Sequence, residues 1–233
     1  MEFRGIKSTE YGARLMDVQE HTLAAERGES RVAAGRSGDM WQSENARDTI
    51  SLKRNIRVRE SQLDGVMAWL TGSGLLRFEY APGKAYDARI TDKIDIKQVS
   101  LDSDALMSLS VSFTCQPYRR LYPEAADIIL TQNNALLETE GNAPSQPRIK
   151  IEGSGDFSLT IGQQTMFFTG IDGGVVVDSE LQDALSLDEA ELLNNHVAGQ
   201  FFEIQPGDQY VSWALETGAQ ITKITITPRW RCL

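Results

Sequence analysis

Histidine, cysteine and long apolar runs are scarce in this sequence of 233 residues, and each shortage closes off a class of function. The two histidines, His21 and His196, have no cysteine, histidine or acidic partner at a metal-binding spacing, so both read as surface or turn residues rather than ligands. Cys115 and Cys232 stand far apart, which favours buried or incidental free thiols over a disulfide scaffold. No run reaches the ~18 apolar residues of a membrane span, and the charged stretch from Met1 to Arg14 lacks the apolar centre of a signal peptide. Synthesis in the cytosol is the expectation.

Catalytic signatures are missing as well. The glycine clusters at 72–74, 153–155 and 173–174 contain neither G-x-G-x-x-G nor the Lys-Ser/Thr of a phosphate-binding loop, and they read as hairpin turns where glycine supplies a positive φ. There is no G-x-S-x-G elbow, and a Ser-His-Asp arrangement would have to recruit one of the two histidines. Asp102-Ser103-Asp104 lacks the glycine and distal glutamate of a calcium loop and reads as two solvated charges. The sequence therefore assigns no catalytic residue, no cofactor-binding residue, no metal ligand and no cofactor, and it points away from an enzyme.

What remains is an ordinary globular composition with an acidic bias. Hydrophobic residues make up 41% and charged residues 24%, which suits a folded chain long enough for two domains or one large β domain. The net charge is -10. Residues 143–233 hold five Lys/Arg against twelve Asp/Glu, whereas residues 1–142 hold eighteen against twenty-one, so the acidity concentrates towards the C-terminus. Such a surface repels polyanions, which argues against sequence-directed nucleic-acid binding.

Apolar periodicity is mostly that of strands. Up to Arg47 the chain reads as short strands and loops punctuated by glycine. Ile50, Leu52, Ile56 and Val58 then fall on one parity, with Ser51, Lys53, Asn55, Arg57 and Arg59 on the other, as for a long strand with one wet face. One helix follows: Ser61 and Asp64 suggest a capping box, Leu63, Val66, Met67 and Leu70 form a stripe, and Gly72 stops it. Further strands are expected at 75–80, 85–91, 94–101 and, most regular of all, over Met107, Leu109, Val111, Phe113 and Cys115.

The polar stretch between Pro117 and Pro147 reads as a domain boundary, placed at 142/143. Beyond it, a strand through Ile149 and Ile151, a turn at Gly153-Ser154-Gly155-Asp156 and a return strand through Phe157, Leu159 and Ile161 open a run of short strands. Their number and spacing suggest a compact β-sandwich over 143–233. The stretch from Ser186 to Asn195 fits a short helix or an irregular loop. Trp213 and Trp230 suit core packing between two sheets better than a sugar-stacking platform, and Trp41 and Trp69 read as core or subunit contact.

Taken in order, these pieces resemble a known family. In the first part they are Gly35-Arg36-Ser37-Gly38 with Trp41, the strand, helix and strand from Ile50 to Tyr80, Tyr86-Asp87-Ala88-Arg89, and Phe113-Thr114-Cys115-Gln116-Pro117-Tyr118. In the second they are Pro147-Arg148-Ile149, Gly153-Ser154-Gly155-Asp156, Val177-Asp178-Ser179-Glu180, Pro206-Gly207-Asp208 and Pro228-Arg229-Trp230-Arg231. The whole resembles the distal tail (Dit) proteins of long, non-contractile-tailed bacteriophages, particularly those infecting Gram-positive hosts.

The resemblance implies a mainly β structural virion protein with a ring-forming N-terminal domain (1–142), containing one α-helix, and a galectin-like C-terminal sandwich (143–233). It implies a homo-hexameric ring at the tail tip, between the tail tube protein and the tail-associated lysin or tail-fibre protein. The sandwich would be an arm for baseplate or receptor-binding components. No sequence-specific nucleic acid and no membrane enter as partners. A carbohydrate-binding sandwich that uses Trp213 and Trp230 is the alternative. Arg229 and Arg231 are expected to make contacts within the chain or with a neighbour, and Trp230 to anchor the core of the arm.

Overall fold

The structure is a computed structural model that describes residues 1–17 and 22–233; His21 lies outside them. The chain folds as two compact units, Met1–Arg119 with Leu233, and Arg120–Cys232. Both are built mainly of strands, and the described residues contain one α-helix.

In the first unit, β1 (Glu2–Phe3), β2 (Ile6–Lys7) and β3 (Arg14–Leu15) precede a separate hairpin of β4 (Glu26–Arg31) and β5 (Met40–Arg47). Then come β6 (Ile50–Arg59), α1 (Leu63–Trp69), β7 (Ser73–Arg77), β8 (Lys84–Arg89), β9 (Asp95–Gln98) and β10 (Leu106–Leu121). The sheet runs β2-β1-β7-β8-β10-β6-β3, and β9 also pairs with β10.

β6 shows the expected alternation, with its odd-numbered residues exposed and its even-numbered ones buried. Antiparallel pairing with β10 sets Ile56 beside Leu109 and Leu52 beside Phe113 on the buried face. Pairing ends at Cys115 and Ile50, before Pro117, so the proline's missing N–H costs this ladder nothing and β10 continues beyond the Cys115 end expected from sequence. Arg54 also lies on the buried parity and is 1% exposed. Its guanidinium donates to the Lys53 carbonyl at 2.8 Å and the Tyr80 hydroxyl at 3.4 Å, and it stands 5.0 Å over the Phe78 ring. Hydrogen bonds and the ring's negative face offset part of the cost of burying that charge.

α1 packs Val66 and Trp69 into the core, and the Trp69 indole N–H donates to the Phe3 carbonyl at 2.9 Å. The capping box expected from Ser61 and Asp64 does not form. A 3-10 turn, Glu60–Gln62, precedes the helix and places Ser61 inside that turn, so the N-cap is Gln62. Ser61 instead donates its N–H (3.0 Å) and hydroxyl (3.2 Å) to the Asp104 carboxylate. Asp104 is thereby tied to the start of the helical segment rather than being merely solvated.

The second unit contains β11 (Ile128–Leu130), β12 (Ala135–Leu137), β13 (Arg148–Ile161), β14 (Gln164–Ile171), β15 (Gly174–Asp178), β16 (Asp183–Leu185), β17 (Val197–Ala198), β18 (Gln209–Leu215), β19 (Gln220–Thr227) and β20 (Arg231–Cys232). β11 pairs with β19 and β12 with β18, so the segment before residue 143 belongs to this unit and the boundary falls at 119/120. Proline and asparagine in that segment interrupt strands without ending the domain.

β13 is the axis of a β-sandwich. Its first half pairs with β19 and β15, and its second half with β18 and β14. The order is β11-β19-β13-β15-β16 in one layer and β12-β18-β13-β14-β17 in the other. Ile149, Ile151, Val175, Val177, Ile224 and Ile226 from one layer and Phe157, Leu159, Ile161, Met166, Phe168 and Val211 from the other form a single core.

The turn expected at 153–156 is therefore a corner within one continuous strand. The backbone approaches too closely there for a side chain: a Cβ on Gly153 would lie 2.3 Å from the Gln220 carbonyl, and Gly155 has φ +92°. Residues 172–173 likewise cross between layers instead of closing a hairpin, because β14 and β15 pair with different halves of β13. The ambiguous stretch after Ser186 is a loop closed by Ser186 and Glu191, ending in a 3-10 turn at Asn194–His196.

Candidate interaction surfaces

Two of the motifs noted in the sequence meet in the second unit. Asp178, at the end of β15, is 5% exposed and accepts both terminal nitrogens of Arg229, at 2.7 and 2.8 Å. The N–H groups of Glu180 (3.1 Å) and Leu181 (3.3 Å) donate to the same carboxylate. Burial pushes the Asp178 carboxyl up, but the Arg229 hydrogen bonds and charge, with those two backbone donors, outweigh it and hold the group below its ordinary range.

Glu180 gathers Arg120 at 3.0 Å and Arg229 and Arg231 at 3.3 Å each, while Arg148 bridges Asp178 and Glu189. Arg229 has φ +50°, a conformation that side chains other than glycine rarely adopt. The fork of hydrogen bonds to Asp178 holds it there. Trp230, 4% exposed, packs into the sandwich core, and its carbonyl accepts the Leu121 N–H at 3.1 Å. The expected contacts of Arg229 and Arg231 are thus made within the chain. This cluster positions the two ends of the second unit's own chain.

The first unit offers three kinds of open surface. On the wet face of its sheet, Arg14 pairs with Arg57, Arg57 with Ser108, and Ser108 with Lys97, so three exposed cations share one row across four strands. Lys53 is exposed on the same face. On β9 and just after it, Ile96, Val99 and Leu101 are exposed apolar residues on a short edge strand. The β4–β5 hairpin carries exposed Val32, Met40 and Trp41, with the Gly35-Arg36-Ser37-Gly38 motif at its tip and both glycines near φ +80°.

Trp41 is 56% exposed and therefore not a core residue; its ring covers Gly28, where a Cβ would meet it at 2.6 Å. Trp69 is core. Trp213 pairs with Leu159, which is opposite Met166, and is half-buried at the margin of the sandwich core. With Trp230 inside, the two tryptophans present no sugar-stacking platform.

Cys115 and Cys232 are free and buried, and burial pushes the Cys115 thiol up to about 12. His196 is exposed, with Nδ1 2.8 Å from the Thr169 carbonyl. Among the described residues, no three or more His, Cys, Asp or Glu side chains group as metal ligands would, and no helix is long and apolar enough to cross a membrane.

The chain matches a solved structure over nearly the whole of its length. The chain has the fold of the SPP1 Dit protein. That structure is described as the crystal structure of SPP1 Dit (gp 19.1), "a paradigm of hub adsorption apparatus in Gram-positive infecting phages"; the TM-score is 0.72, at 15% sequence identity, over 97% of this chain and 96% of that one. No family model matches the sequence, and no curated protein matches it.

Proposed function

We propose that this chain is a structural component of the tip of a long, non-contractile phage tail. Six copies form a ring that joins the tail tube protein to the tail-associated lysin or tail-fibre protein, with receptor-binding components docked at its rim. The first unit builds the ring, and the second, braced by the Asp178–Arg229 pair, is the outward arm. The protein works in the virion after synthesis in the host cytoplasm, and it acts by assembly rather than by catalysis.

One observation carries this reading: the likeness to a phage hub protein runs through both units, leaving almost none of either chain unmatched. The exposed apolar residues of the β4–β5 hairpin and of β9 support it, since such groups mark protein contacts and a heterologous contact closes into a ring when its rotation allows.

Static light scattering on the purified chain tests it. Assembly into a discrete oligomer of six copies is the expected result, and a strict monomer at every concentration would contradict it.

A further inference from the structure

We propose that the wet face of the first unit's sheet is a docking surface for a carboxylate-rich protein surface, supplied by the second unit of another copy of this chain. The basic face is built at a cost. Arg14 and Arg57 are directly opposed on neighbouring strands, about 5 Å apart, and Lys97 lies in the same row about 10 Å from Arg57. Like charges opposed in a sheet are destabilising. None of Arg14, Lys53, Arg57 and Lys97 has an ion-pair partner among the described residues. Of the nearest acids, Asp17 sits at the edge of this face, where it accepts from the Asn55 N–H and side-chain amide, and Asp95 pairs with Lys93, so neither forms an ion pair with the row. Serines 108, 110 and 112 of β10 separate the cations, so the face is polar throughout.

The complementary charge is present in the same chain. Residues 1–119 hold seventeen Lys/Arg and seventeen Asp/Glu, whereas residues 120–232 hold six and sixteen, so the whole net charge of -10 belongs to the second unit. All six of its cations are committed to four acids, Glu152, Asp178, Glu180 and Glu189. Twelve acids are left without a cationic partner among the described residues. Three exposed ones, Glu138, Glu140 and Asp208, sit on adjacent loops tied by the Gly207 N–H donating to the Thr139 hydroxyl at 2.8 Å. An acidic protein surface suits this face better than nucleic acid does, because the chain that carries it is itself strongly anionic.

The contact stands independently of the tail role. Its test is sedimentation of the full-length chain at about 50 mM and about 500 mM salt, conditions that differ severalfold in screening length. Arg57→Glu/Lys97→Glu and Glu138→Lys/Glu140→Lys/Asp208→Lys should each weaken self-association about tenfold or more at the lower salt. An equimolar mixture of the two variants should recover association, since each supplies the face the other has reversed. Association that ignores both reversals would overturn the proposal. So would a chain that is monomeric at both salts, or one that binds duplex DNA through Arg57 and Lys97 instead of a second copy.

Discussion

Arg229 reaches back 51 residues to Asp178 and holds its carboxylate through both terminal nitrogens, at 2.7 and 2.8 Å. The pair joins the end of β15 to the segment after β19, within the second unit. Asp178→Asn removes the charge while keeping the shape, and leaves the half-buried Arg229 with Glu180, at 3.3 Å, as its remaining counter-ion. Urea unfolding of the second unit should show a loss of about 2–3 kcal/mol. In a double-mutant cycle with Arg229→Gln, the coupling should be about 1 kcal/mol or more. Additive losses would mean that the two side chains act separately.

The same pair sets an acid limit. Asp178's folded-state pKa lies below its ordinary value of 3.8, so the folded state favours the ionised carboxylate. Its stabilisation is complete above that ordinary value and is lost as pH falls through the lower folded-state value. Wild type should therefore lose stability steeply below about pH 4, and Asp178→Asn, already lacking the charge, should lose less over the same interval. Parallel acid limbs for the two proteins in denaturant titrations would assign the loss to other groups.

Glycine at the sandwich corner is a steric requirement. Gly153→Val would drive a side chain into the Gln220 carbonyl, 2.3 Å from where its Cβ must sit, and displace β19 from β13. A destabilisation above about 2 kcal/mol is expected, against about 1 kcal/mol for Gly207→Ala, where φ is positive but the space is open. Equal losses at the two positions would contradict the close-approach account.

What the sequence made legible follows from period and parity. β6 and β10 alternate cleanly because one face meets the core and the other water, and α1 announced itself through its stripe. Asp104 at the helix start and Arg229 on Asp178 were hidden because each is a contact between residues 43 or 51 positions apart. Arg54 was missed because a guanidinium buried over Phe78 breaks the rule that charge marks the wet face. The corner in β13 looked like a hairpin turn because glycine serves both positive φ and close approach, and sequence does not separate the two.

Both thiols should be silent in the folded protein. Cys115 and Cys232 are buried, and the Cys115 thiol, pushed up to about 12, carries almost no thiolate at neutral pH. A chromogenic disulfide reagent should titrate no thiol in the native chain and both after denaturation. Fast native labelling of Cys115 would show that the first unit's core opens readily.

The proposed tail-tip ring is large enough to be seen by negative-stain imaging of the purified full-length protein. Class averages should show a closed ring with six peripheral lobes, one for each second unit. Compact single particles at all concentrations, or open chains that never close, would contradict it.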